Sequence, residues 1–218
     1  MKDYAAIIFD LDGTLLDTSQ GIYNAVRATE KIMHFTPVDD AVLPEYVGPP
    51  TLFSYKKHYD IDDDTAKKAV VHHRKYQSEQ GVREARPYDG MADLLAMLKE
   101  SGHKLGVATL KRQDITEATL AAAGMLNCFD SVRGIDMAES LTKSDIINLV
   151  LEDLQIQPEN AVLIGDSAYD AIGAAQSEVD FIGVEYGFGF KNAQEIEAYH
   201  PVFIAYFVDD LIRFFDRC

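Results

Sequence analysis

The chain has 218 residues, 47% of them hydrophobic, and carries 20 Lys/Arg against 36 Asp/Glu for a formal charge of −16. That length and apolar content suffice for a full core, or for a core with an inserted subdomain, and exclude general disorder. The charge excludes nonspecific binding to DNA or RNA, which depends on neutralising phosphates with lysine and arginine.

The first predicted element is the apolar run Tyr4-Ala5-Ala6-Ile7-Ile8, a buried strand ending in Phe9-Asp10-Leu11-Asp12-Gly13-Thr14-Leu15. Two carboxylates two residues apart at a strand's carboxyl end project to one side if the extended geometry persists. Like charges that close are costly unless a cation or a proton compensates them. Gly13 permits a tight turn, and Thr14 adds a hydroxyl and an amide beside the pair. One carboxylate can then act as a nucleophile while the other handles the proton. Alone, such a pair reads as a solvated acidic turn.

Residues 17–85 carry mostly helical periodicity. Ile22, Val26, Thr29 and Met33 form one stripe, and Ala66, Ala69, Val70 and His73 another. A structureless loop of that length is out of place in a compact domain, so a separate helical subdomain is expected, with Arg86-Pro87-Tyr88-Asp89-Gly90 as the return linker. Its nine Lys/Arg nearly balance eleven Asp/Glu. Lys56, Lys57, His58, Lys67, Lys68, His72, His73, Arg74 and Lys75 are candidate positive features for an anionic substrate. The plain reading for most of them is a solvated helix face. Tyr46-Val47-Gly48-Pro49-Pro50-Thr51 joins two helical stretches, with Pro50 suited to starting the second.

Beyond residue 86, predicted strands near 104–108, 129–133, 161–164 and 180–184 alternate with helical patterns near 90–101, 112–123, 143–155 and 168–176. That alternation predicts an α/β fold with a doubly wound parallel sheet and a ligand outside the strands' carboxyl ends. Lys104–Ala108 leads into Thr109-Leu110-Lys111-Arg112, where a strand-end hydroxyl and the amides at a helix start form an anion cradle. Lys143 stands before the helical stripe Ile146, Ile147, Val150, Leu151 and Leu154, and could place its ammonium on the same anion. Alone, Thr109 reads as a helix cap and Lys143 as a surface lysine.

Ala161–Ile164 is followed by Gly165-Asp166-Ser167-Ala168-Tyr169-Asp170, one carboxylate at a strand end and another about one helical turn on. Asp10, Asp12, Asp166 and Asp170 offer hard oxygen ligands without histidine or cysteine, a set that suits Mg²⁺. Calcium loops alternate their acids within one segment, which is not the pattern here. No apolar run is long enough to span a bilayer, and no charged-then-apolar leader is evident. Two cysteines, Cys128 and Cys218, make no disulfide framework, so a reducing cytoplasm is the expected compartment and Cys218 a bystander.

In this order of motifs the sequence resembles the haloacid dehalogenase superfamily of phosphohydrolases over essentially its whole length. The resemblance implies a Rossmann-like core from residues 1–16 and 86–218, with 17–85 as a helical cap. It implies Asp10 as nucleophile and Asp12 as general acid and base. Mg²⁺ would be held by Asp10, Asp166 and the Asp12 main-chain carbonyl, with Asp170 binding directly or through water. Thr109 and Lys143 would bind phosphoryl oxygens. Dehalogenation itself is not implied, because dehalogenating members lack the acid/base aspartate.

The Gly48-Pro49-Pro50 turn resembles the substrate loop of phosphoglycolate phosphatase-like and 5′-nucleotidase-like members, and Tyr186-Gly187-Phe188-Gly189 their glycine-aromatic turn. Lys143 is followed by Ser144 rather than proline, a form closer to the 5′-nucleotidase branch. The implied activity is a phosphomonoesterase acting on a small phosphorylated metabolite through an aspartyl phosphate, phosphoglycolate phosphatase-like. A 5′-nucleotidase, a broad-range phosphatase and a β-phosphoglucomutase-like phosphomutase are the alternatives. The expected partners include no nucleic-acid polymer and no membrane, and the expected state is a monomer or homodimer.

Overall fold

A computed structural model describes residues 2–137 and 140–216, so Cys218 lies outside the described residues. In chain order the elements are β1 (Ala6–Phe9), β2 (Leu16–Asp17), α1 (Ser19–Met33), α2 (Thr51–His58), α3 (Asp63–Glu79), β3 (Arg86–Pro87) and α4 (Met91–Glu100). They continue with β4 (Lys104–Arg112), α5 (Gln113–Ala122), β5 (Ser131–Ile135), α6 (Lys143–Leu154), β6 (Ala161–Gly165) and α7 (Ala168–Gln176). The chain ends with β7 (Asp180–Val184), α8 (Ala193–Glu197), β8 (Phe203–Ala205) and α9 (Val208–Phe215).

Six strands form one parallel sheet in the order β5-β4-β1-β6-β7-β8. Both faces are covered, which is why the central strands are apolar nearly throughout. Alternate side chains serve opposite faces. Ile7, Phe9, Leu105 and Val162 pack with Leu94 and Leu98 of α4 and Leu211 of α9. Ala6, Ile8 and Leu163 pack with Ile146 and Val150 of α6 and Ala174 of α7. Phe9 is in register with Val107 of β4 and with Ile164 of β6. The residues that follow each strand therefore emerge side by side at one edge of the sheet.

Between β1 and β3 the chain makes its helical excursion. Ile22 and Val26 of α1, Tyr55 of α2 and Ala69 and Val70 of α3 share an apolar cluster with Tyr46 from a 3-10 turn over Asp40–Tyr46. The expected second stripe is buried throughout, whereas Met33 at the end of the first is only half-buried. β2 and β3 pair antiparallel, Leu16 with Pro87 and Asp17 with Arg86, where the excursion leaves and returns. Among the described residues no helix is long and apolar enough to cross a membrane.

Two boundaries differ from the sequence reading. β5 begins two residues later than expected, and β4 runs on to Arg112 where a helix start was expected. β8 and α9 were not foreseen.

The contact between β4 and α6 is close enough to test. A Cβ added to Gly106 would stand 2.5 Å from Val150 Cγ1. Overpacking of this kind costs about 1–3 kcal/mol. Gly106→Ala should therefore lower the melting temperature by roughly 2–12 °C. A melting temperature unchanged within a degree would show that α6 yields without cost.

Candidate active site

The turn after β1 is built on its own backbone. The Asp10 amide donates to the Ile164 carbonyl at 2.9 Å, Gly13 donates to Leu16, and Leu15 and Leu16 both donate to the Leu11 carbonyl. Gly13 has a φ of +85°, and a Cβ there would lie 2.2 Å from Asp166 Oδ2. Only glycine combines that backbone with so close an approach to a carboxylate.

Asp166 follows β6, and its Oδ2 accepts from the amides of Phe188 at 2.7 Å and Gly189 at 3.0 Å. The glycine-aromatic turn thus fixes this carboxylate with main-chain donors. Asp170 stands at the third position of α7. Its Oδ2 accepts from the amide and hydroxyl of Ser167, the capping-box arrangement, which leaves Oδ1 for another partner.

That partner is Lys143, the first residue of α6. Its Nζ lies 2.6 Å from Asp10 Oδ1 and 2.5 Å from Asp170 Oδ1. A cation at a helix N-terminus opposes the macrodipole, so the placement is set by the carboxylates rather than by the helix. All four groups are buried. Oxygens of Asp10, Asp166 and Asp170 fall within 4.8 Å of one another.

Three buried carboxylates around one ammonium leave negative charge in excess. The Asp10 carboxyl is pushed up to about 7 by burial, against the pull of Lys143, with Asp170 and Asp12 adding to the rise. Asp166 is raised well above the usual range by burial and by its carboxylate neighbours, partly offset by the Phe188 and Gly189 amides. Burial works against the Lys143 charge, but Asp10 and Asp170 outweigh it and hold the group above the ordinary lysine value. An all-oxygen set with excess negative charge fits a hard divalent cation.

Asp12 stands apart from this cluster. Both its oxygens accept from Lys111 Nζ, at 2.9 and 3.0 Å, in a pair whose side chains are 10% and 14% exposed. The sequence reading gave Lys111 no role. Its signal was its place two residues after Thr109 on a strand, where alternation returns side chains to one face.

Thr109 is buried and lines the same cavity, but not at a helix start. The β4–β5 register shifts between Ala108 and Arg112, and the Lys111 amide donates to Thr109 Oγ1 at 3.2 Å. Such an irregularity re-aims side chains without ending the strand.

The cavity above these groups measures about 420 Å³. Gly48, Pro49 and Pro50 line its far side, Gly48 with a φ of +96° and Pro50 as the residue capping α2. Of the basic candidates in the helical excursion, His73 and Arg74 line the cavity. Lys56 and Lys57 instead pair at the surface with Asp63 and Glu45. A buried carboxylate paired with an ammonium, in a cavity that a hydroxyl and a second, lysine-held carboxylate also line, has the parts that phosphoryl transfer requires.

Comparison with known proteins agrees with that chemistry. The haloacid dehalogenase-like hydrolase family model matches residues 7–184. A 5′-nucleotidase from Pseudomonas aeruginosa is 33% identical over 199 residues, covering 91% of this chain and 89% of that protein. The pyrophosphatase PpaX of Bacillus velezensis is 28% identical over 216 residues, covering 97% and 96%. A crystal structure of a predicted phosphatase from Clostridium acetobutylicum superposes with a TM-score of 0.90 at 34% identity, over the whole of both chains. The matched span includes the strands that deliver Asp10, Thr109 and Asp166, and the chain belongs to the haloacid dehalogenase-like hydrolases as one of their phosphatases.

Proposed function

We propose that this protein is a Mg²⁺-dependent phosphomonoesterase that hydrolyses a small phosphorylated metabolite through an aspartyl phosphate, in the manner of a phosphoglycolate phosphatase. The observation that carries the reading is the buried group of Asp10, Asp166 and Asp170 around Lys143, beneath a cavity of about 420 Å³. In this reading residues 1–16 and 86–218 form the catalytic core, and residues 17–85 form the cap that meets the rest of the substrate.

Asp10 attacks phosphorus in line, so that its carboxylate forms a bond to phosphorus as the ester P–O bond breaks. Asp12 gives a proton to the departing alkoxide. Asp12 then takes a proton from the water that attacks the aspartyl phosphate, which frees inorganic phosphate and restores Asp10. Thr109 and Lys143 bind the phosphoryl oxygens and hold them for attack. Mg²⁺, held by Asp10, Asp166 and the Asp12 main-chain carbonyl with Asp170 bound directly or through water, supplies charge neutralisation at those oxygens.

A nucleoside monophosphate is a second reading of the ester, favoured by the relative named as a 5′-nucleotidase. Phosphate release across a panel of phosphorylated metabolites separates the two. It also separates hydrolysis from a β-phosphoglucomutase-like transfer within one hexose phosphate, or from broad-range scavenging.

Asp10→Asn should abolish phosphate release with the melting temperature largely retained, since an amide matches the shape but not the nucleophilicity of a carboxylate. Near wild-type release would remove Asp10 from this role. Beryllium fluoride should be found on the Asp10 carboxylate in the wild type.

Stability should report the metal through pH. The Asp10 pKa lies at about 7 in the folded chain against 3.8 for the ordinary group, so the folded state holds the proton more tightly. Its contribution to stability is full below about pH 4 and is lost as pH rises through about 7. Mg²⁺ should therefore raise the melting temperature more at about pH 8 than at about pH 5.5, and Asp166→Ala should remove that difference. An equal Mg²⁺ effect at both pH values would count against the acidic triad as the metal site.

Substitutions in Gly48-Pro49-Pro50 should reorder esters by kcat/KM, by roughly 10–200-fold for contacts worth about 1–3 kcal/mol, with Mg²⁺ affinity nearly unchanged. An unchanged order would move the specificity determinant to another part of the cap.

A further inference from the structure

We infer that Lys111 is a positioning residue: its ammonium sets the direction of the Asp12 carboxylate, and through Asp12 it acts on both proton transfers. The inference rests on the aspartyl-phosphate reading above and adds one residue to its machinery.

The first support is the way two lysines divide four carboxylates. Asp10, Asp12, Asp166 and Asp170 all line the cavity. Lys143 takes Asp10 and Asp170, and the Phe188 and Gly189 amides take Asp166. Asp12 is left to Lys111, at 2.9 and 3.0 Å, and no other donor among the described residues reaches its carboxylate. The charge of Asp12 is felt at Asp10, and like charges repel. Lys111 gives Asp12 a partner outside that cluster.

The second support is what the backbone already fixes. A bridge joins Asp12 to Leu16, and the Gly13 amide donates to the Leu16 carbonyl at 2.9 Å. Those contacts hold the main chain of the turn and leave the Asp12 side chain to choose among rotamers. The main chain of Lys111 is anchored too: its amide donates to Thr109 Oγ1 and its carbonyl accepts from Thr116 Oγ1, both at 3.2 Å. Across the cavity, burial and then the charge of Lys111 push His73 of α3 down to about 3, so its ring stays neutral. Among the described residues, α3 presents no anion to the cavity that would draw Lys111 away.

The third support is capacity. A carboxylate has about four lone-pair sites, and Lys111 occupies one on each oxygen. Each oxygen keeps another for the reacting proton. In the first step Asp12 gives its proton to the ester oxygen as that oxygen leaves phosphorus. In the second it takes a proton from water as the water oxygen bonds to phosphorus and the Asp10 oxygen departs. A carboxylate turned away from the leaving oxygen fails in both transfers, whereas the attack by Asp10 is untouched.

Single-turnover kinetics with Mg²⁺ present separate these steps. The leaving group of p-nitrophenyl phosphate needs little protonation, and that of ethyl phosphate needs it fully. In Lys111→Met, transfer from p-nitrophenyl phosphate to Asp10 should stay close to the wild-type rate. Transfer from ethyl phosphate, and hydrolysis of the aspartyl phosphate, should each slow by about 100-fold, the lower end of what general acid and base catalysis contributes. Lys111→Arg should recover most of both losses, since a guanidinium pairs with both oxygens of a carboxylate. If Lys111→Met fails to fold, Lys111→Gln carries the test with the same expected pattern. Equal slowing of the two transfers would overturn the inference, because a lysine that binds the transferred phosphoryl group, or only supports the fold, serves every ester alike. Unchanged hydrolysis of the aspartyl phosphate would overturn it as well. A wild-type enzyme that releases phosphate without ever becoming phosphorylated would instead remove the aspartyl-phosphate reading, and this inference with it.

Discussion

Much of this structure is arranged around one buried ammonium among three buried carboxylates. Isolated charges do not survive burial, and a buried pair holds only when its geometry is good and its remaining lone pairs are occupied. Lys143 meets Asp10 and Asp170 at 2.6 and 2.5 Å, while Ser167 takes the second Asp170 oxygen and two amides take Asp166. The stem of Lys143 is enclosed as well: a Cβ on Gly173 of α7 would stand 2.6 Å from its Cγ. α6 and α7 therefore meet across the lysine, and their packing is tied to the carboxylates it neutralises.

The parallel sheet brings these groups together from distant parts of the chain. β1 lies between β4 and β6, so their carboxyl ends deliver Asp10, Thr109 and Asp166 to one edge. The turn after β7 closes the arrangement. Phe188 gives its amide to Asp166 while its ring packs against the apolar cluster of the helical excursion. Tyr186 donates to the Thr14 carbonyl at 3.0 Å and packs on Tyr88 of the return linker, ring centroids 4.7 Å apart. One four-residue turn thereby touches a site carboxylate, the linker and the helices.

The legible parts of the sequence were those in which local pattern and tertiary role coincide. The apolar runs at Ala6–Phe9, Ala161–Gly165 and Asp180–Val184 fold as strands because burial on both faces demands apolar residues at nearly every position. The carboxylates that follow β1 and β6 inherit their places from those strands. Less legible were contacts between residues far apart in sequence. Lys111 meets Asp12 across 99 positions, and the alternation that puts Lys111 on the Thr109 face names no partner for it. The Phe188 and Gly189 amides are main-chain donors, which composition does not encode. β8 is only three residues long and half-buried for two of them, so its signal is faint. α9 was readable: Val208, Leu211, Ile212 and Phe215 repeat at helical spacing.

The end of β4 shows how a small local departure carries chemistry. Residues 109–112 read equally well as the approach to a helix, and a helix starting there would have turned Thr109 and Lys111 to different sides. The chain instead stays extended through a register shift, with the Lys111 amide returning to the Thr109 hydroxyl. One irregular stretch thus holds Thr109 at the cavity and sends Lys111 to both oxygens of Asp12. Side chains two apart on an extended segment share a face, which an α-helical turn does not provide. The hydroxyl at the cavity and the ammonium paired with Asp12 are consequently set by the same four residues. Neither can move without disturbing the pairing of β4 with β5.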